Sequence, residues 1–146
     1  MDNFTEVDPN FQIGKALMRS EGTDVSIFAT GHLVWKAIEA GHILAEQGIS
    51  AEIINIHTIK PLDVAAVLKS VMKTGCAVSA EEHMVLGGLG ESISSVLARN
   101  YPAQMEIVAV NDSFGESGTP EELMTKYGID TPNVVEAAKK AVSRKA

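Results

Sequence analysis

The side chains most suited to chemistry in this sequence come directly after segments with the pattern of buried strands. Thr30, Gly31 and His32 follow one such segment, and Glu82 and His83 follow another. In an open parallel sheet, ligands bind beyond the carboxyl ends of the strands, so these residues could line one crevice. A carboxylate beside an imidazole could serve as an acid–base pair or as metal ligands, but no spacing such as HExxH supports a metal site. We favour contact with another protein surface as the role of His83.

A glycine-rich run, GGLG at residues 87–90, opens a predicted helix. Backbone amides at a helix N-terminus attract anions, and glycines let a phosphate approach closely. The spacing matches neither the dinucleotide-binding nor the phosphate-loop pattern, and Glu91 would repel a phosphate. Packing of Gly87 and Gly88 against the sheet, or against another protein, explains these glycines at least as well. The chain therefore offers no complete active site, and an anion site here is an alternative hypothesis.

The composition excludes several classes of protein. The chain has 146 residues, of which 45% are hydrophobic and 21% charged, so it can bury one core without disulfides or a metal. A formal net charge of −7 argues against nucleic-acid binding, which depends on Lys and Arg to neutralise phosphates. Cys76 is the single cysteine, which excludes an internal disulfide and fits a reducing cytosol, so we expect a cytoplasmic protein. It begins a predicted buried strand and has no basic neighbour in sequence, so we interpret it as a buried structural thiol. No apolar run approaches the roughly 18 residues that would span a membrane, so we expect no membrane partner.

The periodicity of the chain predicts alternating strands and helices in one domain. Residues 1–10 are polar and acidic, and we interpret them as an N-terminal arm or linker before a domain over residues 11–146. Strands are predicted at residues 24–30, 51–56, 76–80 and 106–110, a loop at 81–88, and helices from Leu33, Asp63, Leu89, Thr119 and Thr131. This alternation implies right-handed crossovers and a parallel sheet that is covered on both faces.

A further strand is predicted around Lys15, within the short segment 12–19. The turn that follows, residues 20–23, is too short for the crossover that two neighbouring parallel strands require. We therefore expect this first strand to run antiparallel to the others, at an edge of the sheet.

Several short motifs, taken in order, are similar to a known family. They are GKA (residues 14–16), EGTDV (21–25), ATG (29–31), INIHTIKPLD (54–63), AEEH (80–83), GGLG (87–90), NDSFGESG (111–118), EEL (121–123) and KYG (126–128). Their order and spacing resemble the C-terminal domain of transketolase, particularly the C-terminal section of two-part transketolases. The resemblance covers nearly the whole chain from about residue 11. Related domains form the C-terminal part of 1-deoxy-xylulose-5-phosphate synthase and of the beta subunits of 2-oxo acid dehydrogenases.

The resemblance implies an α/β fold: a three-layer α/β/α sandwich with a five-stranded, mostly parallel sheet and an antiparallel first edge strand. It also implies that the complete enzyme uses thiamine diphosphate and a divalent cation, Mg²⁺ or Ca²⁺, held by the two preceding domains of the family. We therefore expect this chain to contribute no cofactor ligand, metal ligand or catalytic residue. The expected partners are the remaining domains or subunit of the enzyme, in a homodimer.

The leading hypothesis is a non-catalytic lobe that packs against its neighbours in a transketolase of the pentose phosphate pathway. The complete enzyme would transfer a two-carbon ketol unit between sugar phosphates, and the isolated chain would be inactive. Met84, Val85 and Leu86, in the predicted loop, are candidates for an exposed contact patch, unless they fold back onto the core. The alternatives are a domain of either related enzyme, a small anion- or phosphosugar-binding module, or a free-standing enzyme with Glu82 and His83 as its acid–base pair.

Overall fold

The structure, a computed structural model, describes residues 15–57, 62–84, 88–110 and 130–145. The elements in these ranges are β1 (Leu17–Ser20), β2 (Val25–Ala29), α1 (Leu33–Glu46), β3 (Ala51–Asn55), α2 (Val64–Thr74), β4 (Cys76–Met84), α3 (Leu89–Asn100), β5 (Gln104–Val110) and α4 (Thr131–Arg144). None of these four helices is both long enough and apolar enough to cross a bilayer.

The strands form one mixed sheet in the order β1-β3-β2-β4-β5. Edge strand β1 pairs antiparallel with β3, with Leu17 opposite Asn55, and the other neighbouring strands are parallel. The predicted α/β fold and its antiparallel first edge strand are therefore confirmed. The strand begins at Leu17, a little later than the segment around Lys15 suggested.

The helices cover both faces of the sheet and bury a separate apolar cluster on each. On one face, α1 and α4 pack against side chains of alternate strand positions, such as Ile27, Ile53 and Val78. On the other face, α2 and α3 pack against the intervening positions, such as Phe28 and Ile54. Successive side chains of a strand point to opposite faces, so continuous apolar strands such as β2 supply both clusters. This is the three-layer sandwich that the resemblance implied.

The turn between β1 and β2 is held closely against the start of β3. The backbone at Gly22 passes so near Ala51 that a Cβ atom added to this glycine would lie 2.2 Å from the Ala51 carbonyl carbon. Asp24 and Ser50 also exchange hydrogen bonds, because the Asp24 amide donates to the Ser50 carbonyl and the Asp24 carboxylate accepts from the Ser50 amide. The EGTDV motif is therefore explained by local packing at this turn.

Two sequence-based boundaries are corrected by the structure. The loop predicted at residues 81–88 is wrong over its first half, because β4 continues through Met84. Pairing with β5 resumes at Met84 opposite Val110 after a bulge, and the polar residues of this stretch hid the strand. At α4 the Thr131–Pro132 pair is typical of an N-cap followed by Pro at N1, but the helix starts at Thr131 and its N-cap is Asp130, with Asn133 completing a reciprocal capping box.

Other predictions fall outside the residues that the structure describes. The helix predicted from Thr119, the apolar residues Val85 and Leu86, and the arm over residues 1–10 are in this group. The division into an arm and a domain over residues 11–146 therefore stays a proposal.

Candidate functional site

The carboxyl ends of β2 and β4 form a rim of the sheet. The order in which strands are added reverses between these two strands. From β2 the chain crosses to β3 on one side, and from β4 it crosses to β5 on the other. Ligands and partners of open α/β sheets bind at such a switch point. Here the Thr30 amide donates a 3.2 Å hydrogen bond to the Ala80 carbonyl, which continues the β2–β4 pairing one residue beyond the end of β2.

The structure brings several of the predicted residues together at this rim. Gly31 is exposed and has a φ of +56°, a conformation that favours glycine. A Cβ atom at Gly31 would lie 3.8 Å from the Glu82 carboxylate oxygen Oε1, so these two residues are neighbours. His32 is exposed at the N-cap position of α1, although its side chain does not cap the helix. The rim therefore presents Thr30, Gly31, His32 and a half-buried Glu82 side by side.

The structure describes the other predicted rim residues, His83, Gly87 and Gly88, only in part. The backbone of His83 belongs to β4, but its side chain and the whole of Gly87 lie outside the described part of the chain. Gly88 is buried and is the N-cap residue of α3. Two residues later, a Cβ atom at Gly90 would lie 2.8 Å from the Ser79 hydroxyl oxygen. Close packing of α3 on the sheet therefore accounts for Gly90.

The start of α3 already holds a carboxylate from its own chain. Glu81 is completely buried, and its Oε2 accepts a 2.6 Å hydrogen bond from the Leu89 amide. A negative charge at a helix N-terminus is favoured by the unsatisfied amides there. The first amide of α3 therefore already donates to the negatively charged Glu81. Binding of a phosphate or diphosphate at this position is disfavoured, because it would lack that donor and would be repelled by the carboxylate. Glu81 lies at the start of the loop predicted at residues 81–88, and the sequence does not indicate this role because the contact depends on β4 extending past Ala80.

Within the described residues, no three His, Cys, Asp or Glu side chains come together as metal ligands. The described donors therefore do not fit the divalent cation that the resemblance implies for the complete enzyme. The buried Glu81 likewise leaves the glycine-rich helix start unsuited to a diphosphate.

Cys76 has the environment of a structural thiol. It is completely buried at the start of β4, and its Sγ lies 3.3 Å from the Asp24 carbonyl oxygen. Burial raises the pKa of this thiol, against a smaller opposing effect of the nearby Lys145 ammonium. A neutral buried thiol is a poor nucleophile, so the predicted structural role of Cys76 agrees with its surroundings.

A second buried carboxylate, Glu52, gave no signal in the sequence because it lies within the apolar run of β3. Its Oε1 accepts from the Gly22 amide at 3.2 Å and from the Lys73 ammonium, and its Oε2 accepts from the Ser70 hydroxyl at 2.7 Å. Burial acts to raise the pKa of Glu52, but the hydrogen bonds from Lys73, Ser70 and Gly22 outweigh it and hold the pKa below its ordinary value. Ser70 also contacts the Ser26 hydroxyl on β2, so this polar cluster joins α2 to the sheet.

The fold has a counterpart among solved structures. A chain described as a split-gene transketolase, inactive beta4 tetramer, superposes with a TM-score of 0.89 at 42% sequence identity, over 93% of this chain and 45% of that one. The family model described as "Transketolase, C-terminal domain" matches residues 14–134. The chain belongs to the transketolase C-terminal domain family.

Other members of this family differ in the enzyme that contains them. The transketolase C-terminal domain described here is 46% identical over 135 residues to the 6-deoxy-6-sulfo-D-fructose transketolase subunit SqwH of Clostridium sp. (strain MSTE9), covering 92% of this chain and 42% of that protein. It is 32% identical over 136 residues to 1-deoxy-D-xylulose-5-phosphate synthase of Desulforudis audaxviator (strain MP104C), covering 92% of this chain and 22% of that protein. The chain thus spans less than half the length of these relatives.

Proposed function

We propose that this chain is the C-terminal lobe of a transketolase-type enzyme and that its carboxyl rim packs against the remaining domains or subunit. The complete enzyme would transfer a two-carbon ketol unit between sugar phosphates in the cytoplasm, in the pentose phosphate pathway, and would assemble as a homodimer. Thiamine diphosphate and a divalent cation, Mg²⁺ or Ca²⁺, would be held outside this chain. The alternative parents are 1-deoxy-xylulose-5-phosphate synthase and a 2-oxo acid dehydrogenase beta subunit.

The occupation of the α3 start by Glu81 is the observation that supports a packing role most directly. The carboxylate takes the Leu89 amide that an anionic ligand would need. What the rim offers a neighbour is an exposed strand-end surface at Gly31 and His32, with Glu82 half-buried beside it. Such a surface suits shape complementarity with a protein better than capture of a small anion.

Reconstitution with the remaining domains of the same enzyme tests this proposal. Two variants, Thr30→Arg and Glu82→Lys, place bulk or reversed charge on the rim, and Lys139→Glu alters an exposed residue of α4 as the control. We expect each rim variant to weaken assembly at least about tenfold by sedimentation velocity, because a misplaced charge at an interface is costly to desolvate. Ketol transfer should fall in parallel, and the control should assemble normally.

The isolated chain gives the complementary measurement. We expect no turnover of keto-sugar phosphates and no heat of thiamine diphosphate binding by calorimetry, with or without Mg²⁺ or Ca²⁺. Cofactor binding by the chain alone, or unchanged assembly of both rim variants, would contradict the proposed role. Binding of inorganic phosphate that depends on Gly88 would instead favour the anion-binding alternative.

A further inference from the structure

A cavity of about 410 Å³ lies between edge strand β1 and helix α2. Its apolar walls come from Ala16 and Met18 beside β3 residue Ile54, and from Ala66 on α2. Met18 is 51% exposed, although an edge strand is a position where charged side chains are usual. Flexible, polarisable methionine side chains are common at surfaces that adapt to a ligand. The volume lies within the range of small-molecule pockets.

The floor of this cavity is the polar cluster around Glu52. The carboxylate is 1% exposed and is fixed by the Gly22 amide, the Ser70 hydroxyl and the Lys73 ammonium. Hydrogen-bonded groups of this kind keep their positions without a ligand, so the site is formed in advance. Because Glu52 and Lys73 balance each other, the floor carries no net charge, and what Lys73 offers a ligand is its remaining N–H donors.

Two ammonium groups of α2 line the cavity with hydrogen-bond donors to spare. The Lys73 ammonium has three donors, and its contact with Glu52 uses one of them. None of the ion pairs within the described ranges involves Lys69, although Glu21 also lines the cavity. Lys69 and Lys73 are four residues apart on α2, one helical turn, so both can reach the same anionic group.

The cavity on the opposite face of the sheet differs from this one in the charged side chains that line it. That cavity, of about 300 Å³, lies between α1 and the β1–β3 edge and is lined by Ile38, Gly41 and His42 among others. No lysine or arginine lines it. Only the α2 cavity combines apolar walls with two ammonium groups among the described cavities.

We propose that the cavity between β1 and α2 binds a small organic carboxylate with a short aliphatic chain. The carboxylate contacts the Lys69 and Lys73 ammonium groups, and the hydrocarbon part lies against Met18, Ile54 and Ala66. The cavity faces the α2 side of the sheet, and Glu52 lies in the amino-terminal half of β3, whereas the rim lies at the carboxyl ends of the strands. Binding at this cavity is therefore separate from packing at the rim.

Titration of the 146-residue chain with sodium hexanoate, followed by amide chemical shifts, tests this proposal. We expect a Kd of about 1–10 mM, the range for a ligand of this size, with shifts centred on Met18, Ala66 and Ser70. Hexanol should bind more weakly because it has no charge for the ammonium groups. Hexylammonium should bind most weakly, because Lys69 repels it and the charge of Glu52 is already balanced by Lys73.

Two variants and a control separate a specific site from adventitious binding. Lys69→Gln, which changes an exposed residue, should weaken hexanoate binding about three- to fivefold, the usual loss for a solvent-accessible ion pair. Ala66→Leu should narrow the cavity and abolish binding, with circular dichroism confirming the fold. The matched control Lys139→Gln, on α4, should bind hexanoate like the unmodified chain.

Three results would overturn the proposal. The first is the absence of shifts at the cavity up to about 50 mM hexanoate, well above the expected Kd. The second is hexylammonium binding as tightly as hexanoate. The third is unchanged hexanoate affinity in both Lys69→Gln and Ala66→Leu, each shown to be folded.

Discussion

Replacing Glu52 by glutamine removes one buried charge while keeping the shape of the side chain. In the native chain the Glu52 carboxylate accepts from Gly22, Ser70 and Lys73. The glutamine carbonyl can still accept from the Gly22 amide, and its NH₂ group can donate to the Ser70 hydroxyl, which can in turn donate to Ser26. The ion pair with Lys73 is lost, and with it the extra strength of hydrogen bonds to a charged acceptor.

The expected cost of Glu52→Gln follows from these contacts. Hydrogen bonds to charged groups contribute about 1.5–3 kcal/mol, roughly twice neutral ones, but the Lys73 side chain is 42% exposed and recovers hydration when released. We therefore expect a loss of about 1.5 kcal/mol in the free energy of unfolding at pH 7. For a chain of this length that corresponds to a fall of about 4–6 °C in Tm.

The same variant should change how stability depends on pH. The pKa of Glu52 is lower in the folded chain than in the unfolded chain. At a pH between these two pKa values, the unfolded chain therefore binds a proton at Glu52 more readily than the folded chain does. The resulting stability is fully present above the unfolded pKa, about 4.3, and is lost as the pH falls through the folded pKa. Glu52→Gln lacks this contribution, so its deficit should be largest at neutral pH and should shrink on acidification.

Thermal unfolding followed by circular dichroism between about pH 3 and pH 7 measures both effects. The control is Glu106→Gln, which removes a carboxylate of β5 that pairs with the exposed side chains of Lys140 and Arg144. Exposed ion pairs contribute about 0–1 kcal/mol, so the control should lose little stability. A Glu52→Gln deficit that is absent at pH 7, or that does not diminish at low pH, would refute the reasoning.

Three further predictions concern other contacts of the fold. Gly22→Ala should lower stability by at least about 2 kcal/mol in urea unfolding, because its Cβ would lie 2.2 Å from the Ala51 carbonyl carbon, and a wild-type midpoint would contradict that close approach. Glu81→Ala should cost about 1–2 kcal/mol in the same assay because the Leu89 amide loses its acceptor, whereas an unchanged stability would show that water replaces the carboxylate. Cys76 should react with a thiol reagent only as fast as the fold opens, so labelling should accelerate in urea, and rapid labelling of the native chain would contradict its burial.

Much of the architecture follows from patterns within short stretches of sequence. The apolar run of β2 and the stripe of α2 have the periods of a buried strand and an amphipathic helix, and the structure confirms both. The helix predicted from Asp63 has this residue as its N-cap, whose carboxylate accepts from the Ala66 amide at 3.1 Å. The turn after Arg19 is too short for a crossover, which was enough to predict an antiparallel edge strand.

The sequence predicts which residues lie near the rim but not which of them are neighbours there. Sequence alternation correctly places Thr30 and His32 after a strand, and it places Glu82 near the end of another, although Glu82 lies within β4. Parallel strands end at the same edge of a sheet. Which strands are neighbours is set by the crossovers, and the adjacency of β2 and β4 brings Gly31 beside Glu82. That adjacency is a property of the whole sheet, so no local pattern contains it.

The sequence by itself determined the alternation of elements, the direction of β1, the burial of Cys76 and, through its ordered motifs, the family. Only the tertiary structure decided where the charged residues of the strands go. In the sequence Glu52 looks like a polar interruption of an apolar strand and Glu81 like the start of a loop, yet both are buried because residues of other elements donate hydrogen bonds to them. Burial of a carboxylate is favourable only when such donors surround it, and their positions are fixed by packing between elements rather than by neighbouring residues.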